Sequence, residues 1–173
     1  MTSRCYWWRV RNKPLNSDAG EILLAKGPER WSFKFVGDVR LSLCTTLDQL
    51  IGDVFSAGYP GVLEIDLTQA INIDSTCLGL LAKLAMQYEV ETQSQPQLCC
   101  PHAHLIDLLE SLGLESLFNL VEETQTFEAE PVPLRPCDAV SAQPLVLEAH
   151  ERLAQLNTNN QAQFKGLIDS LKQ

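Results

Sequence analysis

The feature that most constrains this chain is a strand-like run that leads directly into a helix-like segment, between residues 62 and 88. Residues 62–67 read V-L-E-I-D-L, a short apolar run with β-branched residues. Apolar side chains then recur at the three- and four-residue spacing of a helix, at Cys77, Leu78, Leu81, Leu84, Ala85 and Tyr88. We therefore predict a strand, a short junction and a helix, in that order.

The junction reads N-I-D-S-T from residue 72 to residue 76. Ser75 lies where a helix N-cap is expected, because its side-chain oxygen can accept a hydrogen bond from the unpaired backbone N–H groups of the first turn. This position predicts a hydroxyl on an exposed junction. On the residues alone, Asp74 and Ser75 could equally do no more than cap the helix.

The sequence D-S-T-C-L-G at residues 74–79 resembles the signature of STAS domains of the anti-sigma factor antagonist family. That signature has an aspartate, a phosphorylatable serine, a Ser or Thr, a small residue, a hydrophobe and a glycine; Cys77 stands where the family usually has Gly or Ala. The resemblance implies that Ser75 is the phosphoacceptor. It also implies that four residues surround this serine and contact a partner: Asp74, Thr76, Asp38 and Gly79.

Before this stretch, the sequence predicts a hairpin and a helix. Residues 21–26 and 31–36 are β-rich runs joined by a Gly-Pro-Glu-Arg loop, and Gly37-Asp38 is expected to end the second strand. Residues 43–55 have an apolar face of helical spacing, which a Gly-Tyr-Pro-Gly sequence terminates. Two strands and a helix should therefore precede the motif.

After residue 67, the sequence predicts further short elements. Residues 70–73 form a separate apolar piece, residues 97–100 a short strand, residues 104–112 an amphipathic helix that Gly113 stops, and residues 118–121 a last apolar element. Strands and helices thus alternate, which predicts an α/β fold. From alternation alone, a small doubly wound sheet with a ligand crevice would also fit.

The resemblance implies a more specific fold over residues 21–125, a small mixed β-sheet covered by helices. Gly37-Asp38 is similar to the family's turn near the phosphorylatable serine, whereas Arg40 stands where the family often has a further acid. The chain has no nucleotide-binding glycine motif, so no cofactor is expected.

The two ends of the chain are predicted to be appendages. Residues 1–20 are a basic arm without clear periodicity, and residues 126–144 gather four prolines in an extended linker. Residues 145–173 carry two amphipathic helical stripes. We expect this extension to fold back over the domain; the alternative is that it docks on a partner or forms a homodimer with a second copy.

Charge narrows the class of partner. Residues 21–125 carry 5 basic and 15 acidic side chains, and the whole chain has a formal net charge of −9. Such a domain repels a phosphate backbone, so we expect a protein partner and no direct contact with nucleic acid. No apolar run has the length of a membrane span, and no hydrophobic signal region opens the chain, so a cytoplasmic protein without membrane insertion is expected.

The cysteines and histidines give little sign of a metal site or an enzyme. The six cysteines lack a C-x-x-C pair and a secreted disulfide pattern, and we expect reduced thiols. The cluster C-C-P-H-A-H at residues 99–104 could form a redox or metal sensor, but adjacent cysteines on a strand point to opposite faces. The three histidines show no catalytic setting, so we expect surface or cap residues and no catalytic activity.

What the resemblance implies for function is a bacterial partner-switching cycle in signal transduction and transcription regulation. The unphosphorylated form would bind an anti-sigma factor or a related serine kinase or phosphatase switch protein, and modification of Ser75 would end that binding. The alternative is a non-switching STAS adaptor subunit of a transporter or other signalling complex.

Overall fold

The computed structural model describes residues 20–124 and 129–173, so the predicted N-terminal arm lies outside the described residues except for Gly20. Within these described residues, six strands and five α-helices follow in the order β1 (Glu21–Lys26), β2 (Arg30–Val39), α1 (Cys44–Ser56), β3 (Val62–Ile73), α2 (Ser75–Thr92), β4 (Gln97–Cys99), α3 (Ala103–Ser111), β5 (Asn119–Val121), β6 (Glu130–Pro131), α4 (Ala139–Leu156) and α5 (Thr158–Leu171). Short 3-10 turns at Leu41–Leu43 and Leu114–Leu117 complete this part of the chain.

The strands form one mixed sheet in the order β5-β4-β3-β2-β1-β6. β1 pairs antiparallel with β2 and with β6, whereas β2, β3, β4 and β5 pair in parallel. Parallel neighbours need a crossover connection, and α1, α2 and α3 provide the three crossovers. The predicted α/β class, a small mixed sheet covered by helices, is confirmed.

The core is built from alternate residues of the central strands, because successive strand side chains point to opposite faces. Helices α1 to α5 add apolar side chains to the same buried cluster. Its strand members include Trp31, Phe33, Phe35, Leu63, Ile65, Leu67 and Leu98. None of the described helices combines the length and the hydropathy needed to cross a lipid bilayer.

The prediction that Gly37-Asp38 ends the second strand is wrong. β2 continues to Val39 and pairs with β3 beyond two shifts in register, one of which lies between Gly37 and Asp38. Gly37 has a φ of 73°, which glycine adopts without a Cβ clash, so the pair forms an irregularity inside the strand. Because β3 also continues through this pairing with β2, residues 70–73 form the end of β3 and are not a separate element.

The prediction of an extended linker at residues 126–144 is wrong in part, because its described residues, 129–144, include a strand and the start of a helix. Residues 130–131 add the edge strand β6 to the sheet, and α4 begins at Ala139 rather than at residue 145. Asp138 caps α4 by accepting a hydrogen bond from the Ser141 backbone, while the Ser141 hydroxyl reciprocates in a capping box. Pro144 lies inside the helix; the carbonyl that it leaves unpaired belongs to Val140, a residue that is 83% exposed and can bond water.

Helices α4 and α5, which we call the C-terminal hairpin, fold back over the domain as expected. Ala142, Ala149, Leu153 and Phe164 are buried in the common core. The Lys83 ammonium of α2 reaches both Asp48 of α1 and Glu148 of α4 at 3.0 Å. The hairpin is therefore part of the same folded body as the sheet.

The opposite face of the central strands carries two ion pairs, each with a buried carboxylate and a partly exposed cation. Arg30 contacts Glu64 at 3.1 Å, and Lys34 contacts Asp66 at 2.8 Å. Burial alone would raise the pKa of Asp66, but hydrogen bonds from Lys34 and Thr68 outweigh it and lower the pKa below its ordinary value. The charged form of Asp66 is therefore favoured by folding.

We expect Asp66→Asn to destabilise the protein by about 1–3 kcal/mol at neutral pH, because Lys34 loses its buried anionic partner. The folded-state pKa lies below the unfolded value of about 3.9, so the contribution is present above that pH and disappears as the pH falls through the folded value. Urea unfolding at pH 7 and at about pH 3 measures it. The exposed Asp53→Asn is the matched control, and a destabilisation that is equal at both pH values would contradict the assignment.

Candidate functional site

The junction between β3 and α2 is held by Asp74, and the prediction that Ser75 is the N-cap is wrong. The Asp74 carboxylate accepts a hydrogen bond from the Cys77 backbone N–H at 2.9 Å, and Ser75 is the first residue of the helix. The Asp74 N–H in turn donates to the Val39 carbonyl at 2.9 Å, which joins the ends of β2 and β3. Capping by Asp74 leaves the Ser75 hydroxyl available for another contact.

That contact is His150 of α4. Ser75 Oγ lies 2.9 Å from His150 Nε2, and His150 Nδ1 lies 2.7 Å from the Val146 carbonyl. A carbonyl can only accept, so Nδ1 carries a proton, and in the neutral ring Nε2 accepts the proton of the Ser75 hydroxyl. The imidazole also packs edge-on against Phe164, with ring centroids 5.1 Å apart.

His150 is therefore not the surface or cap residue that the sequence predicted. It is 3% exposed, and Ser75, expected on an exposed junction, is half-buried beneath it. The sequence signal that could have indicated this is the position of His150 on the apolar stripe of the extension, one residue after Ala149. A polar side chain on a stripe that must be buried needs a partner, and Ser75 supplies it.

Asp38 lies near the end of β2, beside this junction. It is the register partner of Asn72 across β2 and β3, and its carboxylate accepts a hydrogen bond from the Asn72 amide at 2.9 Å. Its second oxygen pairs with Arg40 at 2.9 Å. Arg40 thus offsets one of the two carboxylates near Ser75.

Thr76 and Gly79 lie below the surface. Thr76 is buried, and a Cβ added to Gly79 would lie 2.3 Å from the Ala149 carbonyl oxygen of α4. Glycine is therefore required for the close approach of α2 and α4. Of the predicted site residues, Asp38, Asp74 and Ser75 lie around the junction, whereas Thr76 is buried and Gly79 lies against Ala149 of the C-terminal hairpin.

Two exposed apolar side chains flank the junction. Leu41, which follows Arg40, is 40% exposed, and Ile71, which precedes Asn72, is 51% exposed. We use the name junction rim for these two residues together with Asp38, Asp74 and Ser75, which all lie near the ends of β2 and β3 or the start of α2. Apolar side chains surrounded by polar ones are typical of protein-binding surfaces.

In the cysteine and histidine cluster at residues 99–104, both histidine rings contact backbone carbonyls of β3. His102 Nε2 lies 3.0 Å from the Thr68 carbonyl, and His104 Nε2 lies 2.8 Å from the Ile71 carbonyl. Within residues 20–124 and 129–173, no group of three or more Cys, His, Asp or Glu side chains is arranged to hold a metal ion.

Ser75 and His150 are placed like a nucleophile and its base. Among the described residues, the second nitrogen of His150 bonds a backbone carbonyl, and no carboxylate is hydrogen-bonded to the ring. Ser75 is half-buried, and His150, which belongs to α4, is buried. The arrangement can orient and shield a hydroxyl.

Comparison with known proteins supports the fold. No protein-family model matches the chain, and no curated protein sequence matches it. Among solved structures, it is similar to an anti-sigma factor antagonist from Mycobacterium paratuberculosis, with 22% sequence identity and a TM-score of 0.53. The match covers 61% of this chain and 88% of that chain, so a large part of this chain is additional. The chain therefore has the fold of an anti-sigma factor antagonist, and the resemblance drawn from residues 74–79 is confirmed at the level of the fold.

Proposed function

We propose that this protein is a non-enzymatic, phosphorylation-controlled interaction protein of the anti-sigma factor antagonist type, with Ser75 as the phosphoacceptor. In this proposal the unphosphorylated form binds an anti-sigma factor, or a related serine kinase or phosphatase switch protein, in the bacterial cytoplasm. The observation that carries it is the position of the Ser75 hydroxyl in the first turn of α2, at the end of β3, in a chain with this fold.

The electrostatics of the helix start suit a phosphate. The first backbone N–H groups of a helix and the positive end of its dipole favour an anion at this position. A phosphate adds about −1.5 to −2 charges at neutral pH. Asp38 and Asp74 lie nearby, so modification would make the junction rim strongly negative and would repel a partner that fits the unmodified surface.

Phosphorylation of Ser75 would also break its bond to His150. The phosphorylated oxygen has no proton to donate, and the new group needs space where the imidazole nitrogen now lies at 2.9 Å. The C-terminal hairpin would then have to shift. Modification would thus alter the junction rim both by charge and by moving α4, which covers Gly79.

A non-switching adaptor is the second candidate, and one observation favours it. The hydroxyl of Ser75 already has a structural partner in buried His150, so a serine at this position has a role without any phosphorylation. Such a protein would use the junction rim for constitutive assembly.

The test is to map phosphorylation and partner binding in parallel, with variants expressed in the native cell. We expect phosphate on Ser75, its loss in Ser75→Ala and its retention in Thr76→Val, which removes the adjacent hydroxyl at similar volume. We also expect at least a tenfold weaker recovery of the partner with Ser75→Glu than with Ser75→Ala. Quantitative mass spectrometry measures both the phosphate on Ser75 and the amount of partner recovered.

Two outcomes would contradict the switch. Phosphate that persists in Ser75→Ala would reassign the phosphoacceptor. Equal recovery of the partner by wild type, Ser75→Ala and Ser75→Glu, without phosphate on Ser75, would support the adaptor.

A further inference from the structure

Three cysteines from distant parts of the chain meet beside the junction. Cys44 opens α1, Cys77 lies in the first turn of α2, and Cys137 precedes the cap of α4. The sulfur atoms of Cys44 and Cys137 are 3.5 Å apart although 93 residues separate them in sequence. The sequence shows no paired motif for these thiols, so only the fold brings them together.

The two sulfurs differ in their environment. Cys44 is buried, and burial together with the neighbouring Cys137 raises the pKa of its thiol to about 12. Cys137 is half-buried, with its sulfur 3.2 Å from the Leu41 carbonyl. A diffusible oxidant would therefore reach Cys137 first, and Cys44 is the thiol positioned to react with the oxidised product.

We propose that Cys44 and Cys137 form a reversible disulfide that fixes the start of helix α4 to helix α1. With a peroxide as the oxidant, the Cys137 thiol is first oxidised to a sulfenic acid, and the peroxide O–O bond breaks with release of one water molecule. The Cys44 sulfur then attacks the Cys137 sulfur; an S–S bond forms, the S–O bond breaks, and the hydroxyl leaves with the Cys44 proton as a second water. A dithiol reductant reverses the reaction by exchange.

The backbone around Cys137 permits the approach. A disulfide bond is about 2.05 Å long, so the sulfurs must close most of the present gap by side-chain rotation and a small backbone shift. Cys137 belongs to the segment between β6 and α4, which has no helix or strand pairing of its own, whereas Cys44 is fixed in α1. Cys77 lies close to both, but its sulfur is buried and bonded to the Arg40 carbonyl at 3.4 Å.

The bond would hold the hairpin that covers Ser75. α4 carries His150, and its first turn follows Cys137 directly. A disulfide at this point constrains the unfolded chain and limits movement of α4 away from the domain. This inference does not depend on the proposed phosphorylation, because it concerns the two thiols and the docking of the hairpin alone.

The experiment treats the reduced full-length protein with hydrogen peroxide and follows free thiols, intact mass and melting. We expect a monomeric product that has lost two thiols and the mass of two hydrogens, a non-reduced peptide map that links Cys44 to Cys137, and a raised melting temperature. Dithiothreitol should reverse all of these changes. Cys137→Ser and Cys44→Ala should each abolish the linked peptide, while the control Cys100→Ser should retain it.

Both cysteine variants are to be melted under reduction first, so that a folding defect is recognised independently of oxidation. If one of them fails to fold, the peptide maps of wild type and Cys100→Ser still show whether Cys44 and Cys137 form a disulfide. A map in which Cys137 is linked to Cys77, a link between two chains, or oxidised Cys137 without any link would overturn the proposal. Formation of the disulfide does not depend on phosphorylation of Ser75. Failure of the disulfide proposal would therefore not imply failure of the proposed phosphorylation switch.

Discussion

A chain that ends at Pro136 is expected to melt far below the full-length protein or to aggregate. The truncation removes the C-terminal hairpin, whose Leu153 and Phe164 side chains are buried in the common core, and exposes the surface of α2 that they cover. Full burial of each such side chain contributes about 1.5–3 kcal/mol. It also removes Glu148, one of the two anionic partners of Lys83.

We therefore expect a loss of several kcal/mol, out of a typical total of about 5–15 kcal/mol, and a melting temperature at least about 10 °C lower. Melting curves and light scattering on both chains measure it, with a chain shortened only to Leu171 as the control. A truncated chain with an unchanged melting temperature that changes from dimer to monomer would show instead that the hairpin serves association between copies.

Gly79→Ala is expected to destabilise the protein by about 2 kcal/mol or more, although alanine is the better helix former. The added Cβ would lie 2.3 Å from the Ala149 carbonyl oxygen and 2.6 Å from its carbon, and both atoms are backbone atoms that cannot rotate away. Helix α4 must therefore move from α2. Because His150 follows Ala149, the Ser75–His150 hydrogen bond should be lost as well.

Gly52→Ala is the matched control for this substitution. Gly52 also lies inside a helix, but a Cβ there meets no atom within 4 Å, so alanine should stabilise the protein by about 0.5–1 kcal/mol. Urea unfolding gives both free energies, and hydrogen exchange shows whether α4 and α5 lose protection before the sheet. Stabilisation by Gly79→Ala equal to that by Gly52→Ala would show that the two helices do not approach this closely in solution.

The hairpin changes how the serine motif should be understood. A serine at an open helix start would accept a phosphate with little effect on the fold. In this chain Ser75 is half-buried and bonded to a histidine that packs on Phe164, so a negative charge at Ser75 should weaken the docking of α4 as well as any contact with a partner. The C-terminal hairpin and the serine motif are therefore joined through the Ser75–His150 hydrogen bond, and a change in one should affect the other.

Local sequence determined the elements that depend on nearby residues. Short runs of strand-forming residues predicted β1 and β4, and helical spacing predicted α1, α2 and α3, because the side chains of a helix that point into the core repeat with the helical period. The predictions were less accurate where pairing between strands that are distant in sequence decides where a strand ends. β2 and β3 continue past Gly37 and Thr68 because each supplies hydrogen bonds to the other, which neither sequence indicates alone.

The sequence by itself determined the strand-to-helix order around Ser75, the presence of Asp74 and Gly79, and the amphipathic character of the tail. Only the tertiary structure decided that His150 bonds Ser75, that Gly79 lies against Ala149, and that Cys44 meets Cys137. The physical reason is that a periodic apolar stripe specifies that a helix must be buried but not where. The partner surface is chosen by the shape and polar groups of the whole fold, and no local pattern records it.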